Sequence, residues 1–140
     1  RNEDVELSHL LVKNKKKHVS KDMIVMHGLL GSKLNWRGIC ASSQISERRN
    51  SYLVEMRNHA TSDHHDEMDY NVMSEDIIRF ADSHHMEKFT VLGHSMGGRT
   101  SMTTACRFPD RVDGCISIDA APVDDRLSTT FGVFTYSVVQ

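Results

Sequence analysis

Apolar residues in this chain come in short blocks separated by polar turns, and their spacing alternates between two periods. Val5 to Val12, Met23 to Met26, Ser51 to Met56, Lys88 to Leu92 and Val112 to Asp119 are short runs rich in β-branched or large apolar residues, and each predicts a strand. Between them the period lengthens. Asn71 to His84 puts Met73, Ile77, Phe80 and Ala81 on one helical face, with Asp69 or Asn71 in position to cap it. Trp36 to Ser46 reads as another helical segment. A third helix starts at Met96, and its stretch Arg99 to Arg107 places Met102, Ala105 and Cys106 on one face before Pro109 stops it. Strand, helix, strand in this order describes parallel crossover units, so the chain is expected to be α/β with a mostly parallel sheet and flanking helices. The first strand is expected to turn through a lysine-rich tip and pair with a short strand near His18. In the tail Leu127 to Gln140, the apolar residues Phe131, Val133, Phe134, Tyr136, Val138 and Val139 must cover something.

Composition narrows the function classes without adding elements. With 140 residues and 39% hydrophobic content the chain is one domain, large enough for a real core, and shows no internal repeat or low-complexity linker. Net charge is -2, and the one basic run, Lys13 to Lys17 with Lys21, lacks the aromatic interleaving of a nucleic-acid face, so no nucleic-acid partner is expected. No stretch approaches the ~20 apolar residues that a membrane-spanning helix needs. Cys40, Cys106 and Cys115 are odd in number, lack C-x-x-C spacing and sit in apolar stretches; they read as reduced core residues of a reducing compartment. The pair His84-His85 ends a helix, where a solvated cation suits the dipole, and no metal or cofactor pattern is present.

One stretch carries chemistry. Val91-Leu92-Gly93-His94-Ser95-Met96-Gly97-Gly98 is a G-x-S-x-G pentapeptide set between a predicted strand and a predicted helix. At a nucleophile elbow the serine occupies a sharp strand-to-helix turn, and glycines two residues to either side let neighbouring segments close in. Gly93 and Gly97 supply that room, which makes Ser95 the candidate nucleophile. Unpaired N–H groups at the helix start point at the reaction centre, so Met96 N–H is a candidate oxyanion donor. A second cluster lies upstream, where the strand Met23 to Met26 runs into His27-Gly28-Leu29-Leu30-Gly31-Ser32. Its glycines let backbone N–H groups turn inward, and Leu29 N–H becomes the second donor.

In order and spacing, several segments resemble the α/β-hydrolases, in particular the branch of α/β-hydrolase domain protein eleven and its bacterial short-acyl esterase relatives. They are His27-Gly28-Leu29-Leu30-Gly31-Ser32-Lys33, Arg57-Asn58-His59, Met68-Asp69-Tyr70 with Met73 and Asp76, Gly93-His94-Ser95-Met96-Gly97-Gly98, and Ile118-Asp119-Ala120-Ala121-Pro122-Val123. The resemblance runs from about Val5 to Val123. It implies a partial α/β-hydrolase domain over 1–140, with core strands to about Asp119, the start of the lid region in 120–140, and an end before the lid and last strands. Two positions depart from the pattern. Glu55 stands where relatives usually have aspartate, and Ala60 where they usually have glycine; a positive φ at Ala60 would cost energy. The resemblance also favours a mitochondrial location, with the cytoplasm as the alternative.

A serine hydroxyl needs a base within hydrogen-bond reach, itself oriented by a carboxylate. In this branch the resemblance places the acid after a later strand and the histidine after the last one. All nine histidines of this chain lie at or before His94, so the general base is not identified. His94 is expected to point away from Ser95 and to act structurally; His59, His64 and His65 follow the strand before the elbow and are weaker candidates. Asp119 ends the strand after the elbow and is expected to anchor its loop first and serve as an acid second. Arg57 is expected to pin loops together. Two readings stand: a serine hydrolase of small acyl esters or thioesters, incomplete within this chain, or a catalytically inactive binding or assembly subunit. In the second, the sheet edge left exposed beyond Asp119 takes a partner chain or another copy.

Overall fold

The computed structural model describes residues 4–16 and 21–122. Five strands form one sheet in the order β1-β3-β2-β4-β5. They are β1 His9–Val12, β2 Lys21–Met26, β3 Arg49–Val54, β4 Phe89–His94 and β5 Val112–Ile118. β2, β3, β4 and β5 run parallel, and β1 pairs antiparallel with β3, His9 opposite Val54. The helices are α1 Arg37–Ala41, α2 Ser43–Ser46, α3 Tyr70–Ser83 and α4 Met96–Arg107, with a 3-10 turn at Lys33–Trp36.

The central strands are continuous apolar runs because both faces are covered. On one face Ile24, Met26, Val54, Phe89 and Val91 meet Met73, Ile77, Phe80 and Ala81 of α3 and Met96 of α4. On the other, Met23, Val25, Leu53 and Leu92 pack beneath Trp36 and Cys40. The connection after β2 leads to β3 on one side, while the connection after β4 leads to β5 on the other, so the chain reverses direction across the sheet between β2 and β4. A crevice at the carboxyl ends of two such strands is where open α/β sheets place ligands.

The α3 expectation holds: the four predicted core residues are buried, and Asp69 caps the helix by accepting the Val72 N–H at 2.9 Å. Several other expectations change. Strand β1 begins at His9 rather than Val5, and its partner is β3; the strand expected near His18 and the tail Leu127 to Gln140 lie outside the described residues. The segment expected to be one helix from Trp36 to Ser46 is broken at Ser42, whose ψ of 150° is extended. In α4 the face named from the sequence is not the buried one. Met96, Gly97, Gly98, Thr100, Ser101 and Thr104 are buried, while Cys106 is exposed.

The reason for that last difference is local. Thr100, Ser101 and Thr104 each donate a side-chain hydroxyl to the carbonyl four residues earlier, at 2.9, 2.8 and 2.7 Å, so polar side chains are buried fully satisfied. Glycine brings the helix close: a Cβ on Gly97 would sit 2.5 Å from Met26 O. The cysteine expectation is corrected with it. Cys40 is buried, but Cys106 and Cys115 are exposed, because α4 turns small polar residues rather than Cys106 inward and β5 lies at the rim of the sheet.

Candidate functional site

Strand β4 ends at His94, and α4 begins one residue later, leaving Ser95 to make the whole turn. Its backbone sits at φ 53°, ψ −113°, a combination that costs of the order of 1–3 kcal/mol in a residue with a Cβ. Close packing holds it there. A Cβ on Gly93 would collide with the Gly97 and Gly98 backbone, and one on Gly98 would lie 2.7 Å from Ser117 Oγ, so both glycines are required by approach rather than by φ. The Ser95 N–H donates to Ile118 O at 3.0 Å, tying the turn to the end of β5. Ser95 makes no capping bond to its own helix, so its hydroxyl is not used to hold the helix start.

The loop after β2 faces this turn. A Cβ on Gly28 would come within 3.5 Å of Ser95 Cβ and 3.0 Å of His94 Nδ1. His27, Gly28, Leu29, Leu30, Gly31, Trp36, Ile39, His94 and Ser95 line a shared cleft of about 460 Å3. Among the described residues nothing accepts the Leu29 N–H, whereas the neighbouring Leu30 N–H is taken by His59 Nε2 at 3.1 Å. Met96, the first residue of α4, offers an N–H without an intrahelical acceptor. The two loops expected to supply oxyanion donors are thus brought together at Ser95.

The remaining predicted site residues separate into supports and neighbours. Arg57 is buried, forks onto Asp76 through Nε and Nη2 at 2.7 and 2.8 Å, and donates through Nη1 to Glu67 O at 2.5 Å. It therefore ties the end of β3 to α3 and to the loop before it. His27 Nδ1–H donates to Gly28 O at 2.7 Å while Nε2 accepts the Met56 N–H at 3.0 Å. Burial, the largest influence, pushes the His27 pKa down and His59 adds to that; the Gly28 carbonyl and Glu55 oppose it. The 3.3 Å approach of Glu55 to His27 Nε2 is consequently not an ion pair, because that nitrogen is already an acceptor on a neutral ring. Glu55 is answered instead by Lys33, through its N–H at 3.2 Å and Nζ at 3.6 Å.

Asp119 does not anchor its loop as expected. Its carboxylate is 89% exposed and lies 3.8 Å from His94 Nε2. His94 itself opens onto the cleft beside Ser95, since Ser95 has already left the strand and the alternation of faces ends there. His59 uses both ring nitrogens, and His64 is exposed, so neither is bonded to Ser95. Ser8 and Ser62 stand in no motif, and Lys33 stands at the end of one without a role assigned by it. Lys33 Nζ donates to Ser8 Oγ at 2.6 Å, and Ser62 Oγ donates to the Glu55 carbonyl at 2.6 Å. A charged residue at the buried end of a strand, Glu55, was the available signal that such partners had to exist.

Comparison with known proteins bears on the fold and the family. A family model described as alpha/beta hydrolase fold matches residues 23–134. Esterase YbfF of Escherichia coli is 36% identical over 107 residues, which are 76% of this chain and 41% of that protein. The sn-1-specific diacylglycerol lipase ABHD11 of Danio rerio is 32% identical over 115 residues, 82% of this chain and 36% of its own. Among solved structures, a marine microorganism esterase superposes with a TM-score of 0.77 at 34% identity, covering 91% of this chain and 48% of that one. The chain thus spans less than half the length of each of these three relatives.

Proposed function

Because the chain belongs to the α/β-hydrolase family, we propose that it carries the nucleophile and oxyanion donors of a serine hydrolase acting on small acyl esters or thioesters. The supporting observation is the Ser95 backbone at φ 53°, ψ −113°, a strained conformation held by glycine contacts and aimed into a cleft that a second donor loop completes. In this reading Ser95 Oγ attacks the acyl carbonyl carbon, and the resulting oxyanion is met by the Leu29 and Met96 N–H groups. Collapse of the tetrahedral intermediate expels the alcohol or thiol and leaves an acyl-serine for water to cleave. Leu29, Leu30 and Ile39 make the cleft apolar, which suits an acyl chain.

Ser95 has no base bonded to it among the described residues, so this reading assigns the general base to a histidine supplied from outside them. Asp119 remains the second choice for the acid. The test is labelling of Ser95 by a fluorophosphonate in the 140-residue chain and in a version extended through the remaining strands of a relative. Labelling of the short chain is expected to be slower by at least about 10^4-fold. Equal rates would overturn the assignment of the base.

A second reading, an inactive assembly subunit, is supported by β5. Register pairs Leu92 with Ile116 and His94 with Ile118, so both isoleucines extend the apolar face beyond the cover of Trp36, 45% and 41% exposed. Among the described residues no strand pairs with the outer edge of β5. Such an edge takes an added strand from another chain or a second copy. Concentration-dependent association in sedimentation, weakened by Ile118→Lys, is the expected result; a monomer at all concentrations would remove this reading. A reducing location, mitochondrial or cytoplasmic, is supported by the three free cysteines.

A further inference from the structure

Leu30 has φ 59°, a left-handed conformation that costs a non-glycine residue about 1–2 kcal/mol. Something must hold it there. Its N–H donates to His59 Nε2 at 3.1 Å, and the next N–H, that of Gly31, donates to Gly28 O at 3.0 Å. His59 is 5% exposed, and its Nδ1 faces Arg57 O at 2.9 Å. A carbonyl can only accept and a backbone N–H can only donate, so the partners dictate the ring's state: hydrogen on Nδ1, a lone pair on Nε2, no charge. His27 repeats the arrangement one layer below, with Nδ1–H to Gly28 O and Nε2 from Met56 N–H. The two rings meet edge to face at 4.9 Å.

The two imidazoles therefore grip the two successive peptides that flank Leu29. His27 holds the carbonyl of Gly28, and His59 holds the amide of Leu30. Between them lies Leu29, whose N–H is left for the cleft. We infer that His59 is a positioning residue for the oxyanion loop: as a neutral Nδ1–H tautomer it takes the Leu30 N–H, and so keeps the Leu29 N–H directed at Ser95. This deepens the hydrolase reading and rests on it for the role of Leu29, while the tautomer and the loop geometry stand without it. Sequence alone suggested His59 as a weak base candidate; with both nitrogens committed to backbone groups it instead orients a donor.

The experiment has two arms, with spectra recorded on the 140-residue chain and labelling measured on the extended version. Long-range 1H–15N correlation spectra are expected to show His59 Nε2 as an unprotonated, acceptor-type nitrogen and Nδ1 as protonated at pH 7.5. A protonated Nε2 would overturn the inference whatever the chain catalyses. In the second arm His59→Phe and His59→Gln are compared, the latter retaining a side-chain acceptor. His59→Phe is expected to move the Leu29 and Leu30 amide resonances and, in the version extended through the remaining strands, to slow fluorophosphonate labelling of Ser95 at least tenfold, with His59→Gln recovering part of both. Unchanged amide resonances in a folded His59→Phe would also overturn it. Should Ser95 resist the probe in the extended version as well while the first arm holds, the hydrolase reading fails and the tautomer-locked loop does not.

Discussion

Ala60 has φ 41° and is exposed, so it occupies left-handed backbone with no packing to compensate. Alanine loses about 1–2 kcal/mol in that region, whereas glycine enters it freely. Against this stands the extra freedom that glycine adds to the unfolded chain, about 0.4–1 kcal/mol. The strain is the larger quantity. Ala60→Gly is therefore expected to stabilise the protein by about 0.5–1 kcal/mol, read as a higher denaturant midpoint with an unchanged slope; a lower midpoint would refute it. The cost of alanine here was foreseeable from the resemblance, which implies glycine at this position. The neighbouring role of His59 was not, since the backbone N–H that meets its Nε2 belongs to a loop 29 residues away.

At the level of elements, α3 is held to the sheet by more than its apolar face. The Arg57 fork onto Asp76 joins the end of β3 to the middle of α3 with both side chains at most 3% exposed. Removing one partner of such a pair leaves a buried charge, at about 3–5 kcal/mol. That is a large fraction of the 5–15 kcal/mol typical of a domain, so Asp76→Asn is expected to lower stability by about 3–5 kcal/mol in a denaturant titration. A loss below about 1 kcal/mol would show that water reaches the Arg57 guanidinium and replaces the pairing, since Arg79, 2.5 Å from Asp76 Oδ1, is a second cation. Strands and the elbow were legible because buried parallel strands and tight turns leave strong compositional marks, as in Thr90-Val91-Leu92-Gly93. Helix α4 was misread because Thr100, Ser101 and Thr104 look polar in sequence yet return their hydroxyls to their own helix. The break at Ser42 carries no glycine or proline at the point where the helix stops.

For the molecule as a whole, pH acts through the histidines under the site. Burial lowers the His27 pKa below its ordinary 6.5, so between the folded value and 6.5 the unfolded chain binds the extra proton. Stability is then highest above pH 6.5 and falls as pH drops through 6.5 towards the folded value. His9 adds in the same direction, lowered by burial, then by His84 and Lys33. One proton is worth at most about 1.4 kcal/mol per pH unit. A denaturant midpoint that falls between pH 7.5 and 5.5 is expected, and one that rises would contradict the neutral state of His27. Acidification should disturb the loop after β2 first, because a charged His27 ring presents a second N–H to the Met56 donor.

The chain's reversal between β2 and β4 has a further consequence. These two strands are flanked by a strand on each side, and β5, which leans on β4, has its outer edge unpaired among the described residues. Amide hydrogens of β2 and β4 are accordingly expected to exchange with solvent only through global opening, and those of β5 through local fraying. The strands that present Gly28 and Ser95 would thus be the last to let solvent in, so that a molecule whose rim breathes still holds the floor from which its two loops spring.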